Sequence, residues 1–230
     1  MPKRHPTRLR GDVREFPRYS ISEAAFYVRI PHSTLLAWTR GQNYTLRSGH
    51  HRAFLPLLPL ANPDLKLLSF YNLVEAHLLR FTTESGVPLS SLRKALDYVY
   101  EHIPSKHPLL THEFEASGKD VFINHLGLTI NATKQGQLAM RAILEKHLRR
   151  INRDKAGSPI QIFPIHSKRL AIDPLFASGK PIVKGKGVSA VVLWGRNKSG
   201  ESVPEIARDY GLTELEVKET IEDYDWKVAA

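Results

Sequence analysis

The chain has 230 residues, of which 42% are hydrophobic, and it carries a formal net charge of +10. This length allows one large domain or two to three small ones, and the hydrophobic fraction is sufficient for a packed core. The absence of cysteine excludes disulfides, thiolate zinc sites and thiol nucleophiles. No apolar stretch is long enough to cross a bilayer. The opening segment "MPKRHPTRLRGD" lacks the apolar core of a secretory signal, so we expect a cytoplasmic protein.

The charges are unevenly distributed along the chain. Residues 1–52 contain ten Lys/Arg against three Asp/Glu, a net of +7, whereas residues 201–230 contain three against nine, a net of −6. The basic N-terminal segment favours binding to a polyanion, because contacts of Lys and Arg with phosphates release counterions. An acidic tail indicates a different partner. The alternative is a solvated surface that happens to be basic.

After a basic arm (1–17), the segment "YSISEAAFYVRIPHSTLLAW" predicts two short helices joined by a tight turn. Ser20 and Glu23 have the spacing of a capping box. Ile21, Ala25 and Val28 form one apolar stripe, and the Pro of "RIP" favours a new helix start. The pattern indicates a helix-turn-helix, in which the start of the second helix faces base edges in the major groove.

The residues predicted to bind DNA in this motif lie in the turn, in the second helix and just after it. The side chains of His32, Ser33 and Thr34 can hydrogen-bond to base edges. The segment resembles the helix-turn-helix of MerR-type regulators, and in that comparison Arg29 replaces a usual Gly and Leu36 a common Arg. Arg29 can take this place in the turn if its backbone φ angle stays negative. The resemblance implies DNA binding through Arg29, His32, Ser33, Thr34 and Arg40.

Residues 42–60 predict a β-hairpin wing beside the second helix, because "SG" is a turn signal between basic and aromatic flanks. Arg47, His50, His51 and Arg52 would lie near its tip, where a wing contacts the DNA backbone. The alternative for the two histidines is a metal site. Adjacent histidines on an extended chain point in opposite directions, so no metal is expected there.

Residues 65–103 predict two further helices, which complete a MerR-like winged domain over residues 18–105. The region 106–157 predicts a β-hairpin followed by a basic helix. "HEFEA", "KDVFIN" and "LTINAT" alternate like strands, with "SGK" and "HLG" as turns. In the helix, Leu138, Ile143, Leu144 and Leu148 are expected inside.

Residues 158–230 predict a C-terminal domain that binds a protein partner or dimerises, with three helices arranged like a helix-turn-helix. "GKPIVKGKG" does not fit a phosphate loop, because Lys186 is followed by Gly rather than Ser or Thr. Ser202 and Glu205 form a second capping box, and Thr213 caps the last helix. The predicted partner-binding residues are acidic or aromatic: Glu201, Tyr210, Glu216, Tyr224 and Trp226. The alternative is that the aromatic members fill a small core.

Residues 170–226, including "GESVPEIARDYGLT", resemble a short bacterial and archaeal domain of unknown function that is common in antitoxins. A MerR-like head joined to this tail resembles a VapB-like antitoxin subgroup across nearly the whole chain. The resemblance implies a homodimer that binds operator DNA, represses its own operon and neutralises a PIN-like ribonuclease toxin.

The sequence as a whole predicts an α+β, mainly α fold and a protein that is not an enzyme. It contains no recognisable catalytic triad, metal cluster or phosphate loop, and no cofactor is expected. The alternative function is a MerR-like regulator that senses a small ligand through its middle region.

Overall fold

The computed structural model describes residues 11–40, 42–45, 51–54 and 56–225, with only the backbone described for the two short ranges. Helices dominate this part of the chain, with two two-stranded sheets and one four-stranded sheet. The predicted α+β, mainly α fold is confirmed. None of the helices in these ranges combines the length and the apolar character that crossing a membrane requires.

The elements are numbered in chain order. The helices are α1 (Ile21–Val28), α2 (His32–Thr39), α3 (Phe70–Glu84), α4 (Leu89–His102), α5 (Lys119–Thr129), α6 (Lys134–Leu148), α7 (Ala190–Lys198), α8 (Val203–Tyr210) and α9 (Glu214–Tyr224). The strands are β1 (Tyr19–Ser20), β2 (Gln42–Thr45), β3 (His51–Phe54), β4 (Leu67–Leu68), β5 (Ile151–Arg153), β6 (Pro159–Ile162), β7 (Leu170–Ile172) and β8 (Pro181–Val183).

Helix α1 begins at the predicted capping box. The Ser20 hydroxyl accepts a hydrogen bond from the Glu23 N–H at 3.2 Å, and the Glu23 carboxylate accepts one from the Ser20 N–H at 3.0 Å. The helix ends at Arg29, which has a left-handed backbone with φ 56°. The expected negative φ at Arg29 is wrong, because Ile30 turns back to donate to the Ala25 carbonyl and a left-handed residue closes that turn.

Helices α1 and α2 form the predicted helix-turn-helix. Leu35 and Trp38 of α2 are buried, as is Ala25 of α1, whose small side chain allows the helices to approach closely. The chain returns after the hairpin, where the Leu58 N–H donates to the Trp38 carbonyl at 3.0 Å. Strand β1, just before α1, pairs antiparallel with β4, so the motif is held at both ends.

The predicted hairpin after α2 is confirmed in its backbone. β2 and β3 pair antiparallel, with Gln42 opposite Phe54 and Thr45 opposite His51. Segment 46–50, between the two strands, lies outside the described residues.

Helix α3 forms the centre of the larger hydrophobic core. All residues from 70 to 79 are buried, including the polar Glu75 and His77. Helices α1 and α6 pack against it, and α5 bridges α4 and α6. The winged motif therefore rests on a helical layer that continues into the middle of the chain.

The β-hairpin predicted for residues 112–133 is wrong. Phe114–Gly118 is a π-helical turn that leads into α5. Phe122 and Ile123 are both buried while Val121 and Asn124 are exposed, a pattern that a strand with alternating faces cannot produce. Leu126 recurs four residues after Phe122, as a helical face requires.

The basic helix predicted in this region is confirmed as α6, with one inward residue misplaced. Leu144 and Leu148 are buried and Ile143 is half-buried, as expected. Leu138 is 63% exposed, because Met140 faces the core in its place.

Strands β5, β6, β7 and β8 form an antiparallel sheet in that order. The change of domain expected at residue 157 falls in the hairpin between β5 and β6. Gly157 has φ 81° there, a left-handed conformation that glycine adopts without steric cost.

The C-terminal helices enclose a second, smaller core. Val183 of β8 packs with Leu193, Ile206, Val217 and Ile221 of α7, α8 and α9. The predicted capping box at Ser202 forms, since the Glu205 carboxylate accepts from the Ser202 N–H. Thr213 caps α9 as expected, and Glu216 completes a further capping box by accepting from the Thr213 N–H at 2.8 Å. The predicted three-helix unit is therefore present.

Candidate nucleic-acid interface

The first turn of α2 faces solvent. His32 and Ser33 are exposed and Thr34 is half-buried, whereas Leu35 behind them is fully buried. The amphipathic division of α2 explains this arrangement: its apolar residues pack against α1, and its polar start is left free. These three polar side chains are brought together on one surface, as a recognition helix requires.

A groove of about 520 Å³ runs along α2. Ser33, Thr34 and Ala37 form one wall, and the turn between α3 and α4 forms the other. The residues of that second wall are Thr82, Thr83, Gly86, Val87, Leu89 and Leu92. Sequence reasoning missed this wall, and the only local signal for it is the "SGVP" turn.

The β2–β3 hairpin follows α2 directly in the chain and carries further residues predicted to bind DNA. His51 and Arg52 lie in β3, whose backbone alone is described, and Tyr44 is the partner of Arg52 across the hairpin. Arg47 and His50 lie outside the described residues. Arg40, immediately after α2, is exposed.

Arg29 points away from the start of α2. Its guanidinium donates to the Asp223 carbonyl oxygen of α9 at 2.9 Å and lies 5.6 Å from the centre of the Phe26 ring. Burial lowers the pKa of Arg29 to about 10, the positive charge of Arg80 adds to this effect, and Asp223 opposes it. We therefore exclude Arg29 from the proposed DNA surface, because its charge is half-buried within the chain.

Two further arginines of the basic front are also used internally. The Arg14 guanidinium forms ion pairs with Asp12 at 2.8 Å and with Asp154 at 3.0 Å. The Arg18 guanidinium donates to the Pro174 carbonyl at 2.7 Å. The net charge of a segment therefore overstates the charge that it presents to a nucleic acid.

The residues predicted to bind a protein partner are mostly engaged within the C-terminal unit. The Glu201 carboxylate accepts from Arg196 Nε at 2.8 Å, and the same guanidinium lies 5.4 Å from the centre of the Tyr210 ring. Glu216 caps α9. Trp226 lies outside the described residues.

Tyr224 connects the two halves of the chain. Its ring packs edge-on against Phe26 of α1 at a centroid distance of 5.6 Å and lies 6.0 Å from the Trp194 ring. The Trp194 indole N–H donates to Asp225 at 2.8 Å. The end of α9 is therefore fixed against the helix-turn-helix, and Tyr224 is not a free anchor for a partner.

Among the described residues there is no group of three or more His, Asp or Glu side chains that could hold a metal ion. His107 lies between two carboxylates, 3.1 Å from Glu75 and 3.3 Å from Glu15. Although burial opposes it, these carboxylates raise the pKa of His107 above its usual value. This arrangement is typical of an internal ion-pair network.

Two family models match parts of the chain. Residues 17–96 match a family described as "Putative DNA-binding HTH domain", and residues 170–222 match one described as "Protein of unknown function (DUF433)". The first range contains α1, α2, the hairpin and α3, so the predicted helix-turn-helix is confirmed. The second range begins at β7 and ends within α9.

Two proteins of Mycobacterium tuberculosis (strain ATCC 25618 / H37Rv) are similar over most of the chain. The protein named "Putative antitoxin VapB45" is 26% identical over 233 residues, covering 93% of this chain and 95% of its own. "Uncharacterized protein Rv2308" is 25% identical over 222 residues, covering 91% and 90%.

The fold has a solved counterpart. The X-ray crystal structure of Rv2018 from Mycobacterium tuberculosis superposes with a TM-score of 0.67 and 21% sequence identity, covering 90% of this chain and 97% of that one. The two chains therefore share their fold over nearly their whole length, and the whole chain is similar in sequence to a protein named as an antitoxin.

Proposed function

We propose that this protein is a DNA-binding antitoxin that represses its own operon and neutralises a PIN-like ribonuclease toxin. It acts in the cytoplasm as a homodimer on double-stranded operator DNA. The observation that carries the proposal is the exposed polar start of α2 beside an antiparallel hairpin, within the range that matches a DNA-binding helix-turn-helix family.

The proposed DNA contacts divide into two kinds. His32, Ser33 and Thr34 meet base edges in the major groove, because they are the polar side chains at the start of α2. Arg40 and the hairpin residues Arg47, His50, His51 and Arg52 contact the phosphate backbone, which positions the protein without reading sequence. In a two-fold dimer, the two copies of α2 would lie roughly 34 Å apart, one turn of DNA.

Similarity to a protein named as an antitoxin over 93% of the chain supports the second half of the proposal. Residues 201–230, with a net charge of −6, are unsuited to DNA, since their carboxylates repel phosphates. A protein partner at the C-terminal half leaves the start of α2 available to DNA.

The DNA half of the proposal can be tested by measuring affinity for a duplex carrying the chain's own promoter. We expect His32→Ala combined with Ser33→Ala to weaken binding to the promoter duplex, because each lost base contact is worth about 1–3 kcal/mol. Binding to a scrambled duplex should change little. His112→Ala with Ser117→Ala is the matched control, since both side chains are exposed and lie outside the interface. Equal affinities for the two double variants would refute the role of α2.

The toxin half can be tested by co-expression with the protein encoded beside this gene. We expect the neighbouring protein alone to stop growth by cleaving RNA, and the pair to restore growth through a stable complex. A neighbouring protein without toxicity, or toxicity that persists in the presence of the full chain, contradicts an antitoxin function.

A second function is favoured by one cleft. A space of about 440 Å³ lies between the N-terminal segment and the middle region, a size typical of small-molecule sites. Its walls include Asp12, Glu15, Tyr71, Lys106, His107, Leu110 and Thr111. A regulator that senses a small ligand would use this cleft. A ligand that raises the melting temperature of the isolated protein and alters its DNA affinity would support this second function.

A further inference from the structure

Loop 173–180, between β7 and β8, presents two large apolar side chains to solvent. Leu175 is 73% exposed and Phe176 is 51% exposed. Adjacent exposed side chains of this size commonly mark an interaction surface, because burying them in a partner removes apolar area from water.

The backbone of this loop is held in an unusual conformation. Ala177 and Ser178 have φ 45° and 54°, which side chains with a Cβ rarely adopt, and Gly179 follows at φ 78°. Such backbone conformations are strained and persist only where surrounding contacts impose them.

Contacts from the N-terminal half impose this conformation. The Tyr19 hydroxyl donates to the Gly179 carbonyl at 2.9 Å, and the Arg18 guanidinium donates to the Pro174 carbonyl at 2.7 Å. Within the loop, the Asp173 carboxylate accepts from the Leu175 N–H at 2.9 Å. A fixed loop loses little conformational entropy when it binds, so its two apolar side chains are prepared for a partner.

Exposed lysines flank the two apolar side chains. Lys180 ends the loop, and Lys184 and Lys186 lie in the turn after β8, where the Lys184 ammonium is 4.5 Å from the centre of the Phe163 ring. That turn is adjacent to the loop, since a Cβ added to Gly187 would lie 3.8 Å from the Phe176 ring. The surface therefore combines an apolar centre with a basic rim.

We propose that loop 173–180 is the docking site for a protein partner that has an apolar pocket with an acidic rim. The pocket receives Leu175 and Phe176, and its carboxylates pair with the lysines. This inference rests on the proposed function, in which the partner is the toxin, and it assigns the contact to a surface other than the predicted residues Glu201, Tyr210 and Glu216, which are engaged within the chain.

Two other occupants fit the surface less well. A second copy related by a two-fold axis would place lysine against lysine. DNA would meet a surface with an apolar centre, and neither the Leu175 nor the Phe176 side chain can donate a hydrogen bond to a phosphate.

The test compares two double variants of the full chain for affinity to the purified protein encoded beside this gene, by calorimetry. Leu175→Ser with Phe176→Ser should weaken the complex about 30-fold or more, as loss of a central apolar anchor does. Leu128→Ser with Leu138→Ser is the matched control, because those side chains are 75% and 63% exposed elsewhere. Its affinity should stay unchanged, and both variants should melt as the unaltered chain does.

A charge variant gives an independent measurement if the first variant does not fold. Lys180→Glu should weaken the complex and reduce its dependence on salt, whereas Lys155→Glu, also on an exposed lysine, should do neither. Equal affinities for these two variants would overturn the proposed basic rim.

The remaining outcomes separate this inference from the proposed function. If the unaltered chain does not bind the neighbouring protein, both fail. If it binds and the Leu175/Phe176 variant binds equally well, only the docking site is wrong. Loss of promoter binding with the protein complex intact would make the loop a DNA contact. Loss of self-association in sedimentation, with the protein complex intact, would make it a dimer contact, and either result overturns the proposal.

Discussion

At the scale of single residues, the two ends of α1 control the position of the recognition helix. Ser20 and Glu23 satisfy the backbone N–H groups at its start, and Arg29 turns the chain at its end and connects it to α9. The exposed polar start of α2, His32, lies three residues after Arg29. Small changes at either end of α1 should therefore alter the presentation of His32 and Ser33.

Ser20→Ala should lower the free energy of unfolding by about 1 kcal/mol, because α1 loses the side chain that caps its N-terminus. Ser22→Ala, the same replacement at an exposed position in the same helix, should change it by only a few tenths of that amount. Urea denaturation of both variants measures the difference. Equal losses would contradict the role of the capping box.

Buried histidines should make stability depend on pH below neutrality. Burial lowers the pKa of His147 to about 4, even though Glu84 opposes this shift. Its contribution to stability is complete above pH 6.5, where the imidazole is neutral in both states. It is lost as pH falls through the interval from 6.5 to 4, because the unfolded chain gains a proton that the folded chain disfavours.

His147→Gln should therefore reduce the slope of unfolding free energy against pH between 6.5 and 4, whatever it does to stability at neutral pH. Leu138→Gln, at an exposed position of the same helix that carries no titratable group, should leave the slope unchanged. His107 contributes in a different interval, because its pKa is raised. Identical slopes for the unaltered protein and the His147 variant would show that this histidine does not titrate as its burial requires.

At the scale of elements, α6 offers a comparison within one helix. Leu144 is 1% exposed and Leu138 is 63% exposed. Leu144→Ala should cost about 2–5 kcal/mol of stability because it leaves a cavity in the core. Leu138→Ala should cost less than about 0.5 kcal/mol. Comparable losses measured by chemical denaturation would mean that α6 presents a different face to the core, one that also buries Leu138.

The elements that could be predicted from the sequence are those specified by local signals. The capping boxes at Ser20 and Ser202 and the N-cap at Thr213 mark helix starts that depend only on nearby residues. The stripe of Ile21, Ala25 and Val28 indicated α1 correctly. These features identified the helix-turn-helix and the C-terminal helices.

The elements that could not be predicted depend on distant contacts. The alternation of polar and apolar residues around Phe122 favoured a strand. The helix is stabilised instead by the packing of the Phe122 ring against Phe81 and Phe114. Loop 173–180 has its conformation because Tyr19, some 160 positions earlier, holds the Gly179 carbonyl. The engagement of Arg29 by Asp223 likewise joins residues 194 positions apart, and no local pattern reports it.

At the scale of the whole molecule, the helix-turn-helix and the C-terminal unit are in direct contact. The Phe26 ring of α1 packs against the Tyr224 ring of α9. The Arg29 guanidinium donates to the carbonyl oxygen of Asp223, the residue before Tyr224. Near the sheet, the Ser167 hydroxyl donates a hydrogen bond to the Asp223 carboxylate of α9, and the Arg169 guanidinium donates one to the Glu219 carboxylate. The end of α9 is therefore in direct contact with α1.

A double-mutant cycle on Phe26→Ala and Tyr224→Ala should give a coupling free energy of about 0.5–1.5 kcal/mol, the value typical of an edge-on aromatic pair. Phe26→Ala combined with Tyr98→Ala should be additive, because Tyr98 lies on α4 and stacks on His102 and His125. Additive losses for the first pair would show that the two units fold without this contact.

Hydrogen–deuterium exchange of the full chain, with and without a duplex carrying its promoter, tests most directly whether α2 reads DNA. The backbone N–H groups at the start of a helix lack partners within it, so those of His32 and Ser33 should exchange quickly in the free protein. We predict that DNA slows exchange there and along the β2–β3 hairpin while leaving α8 and α9 unchanged. Protection of α8 and α9 with no change at the start of α2 would contradict the account.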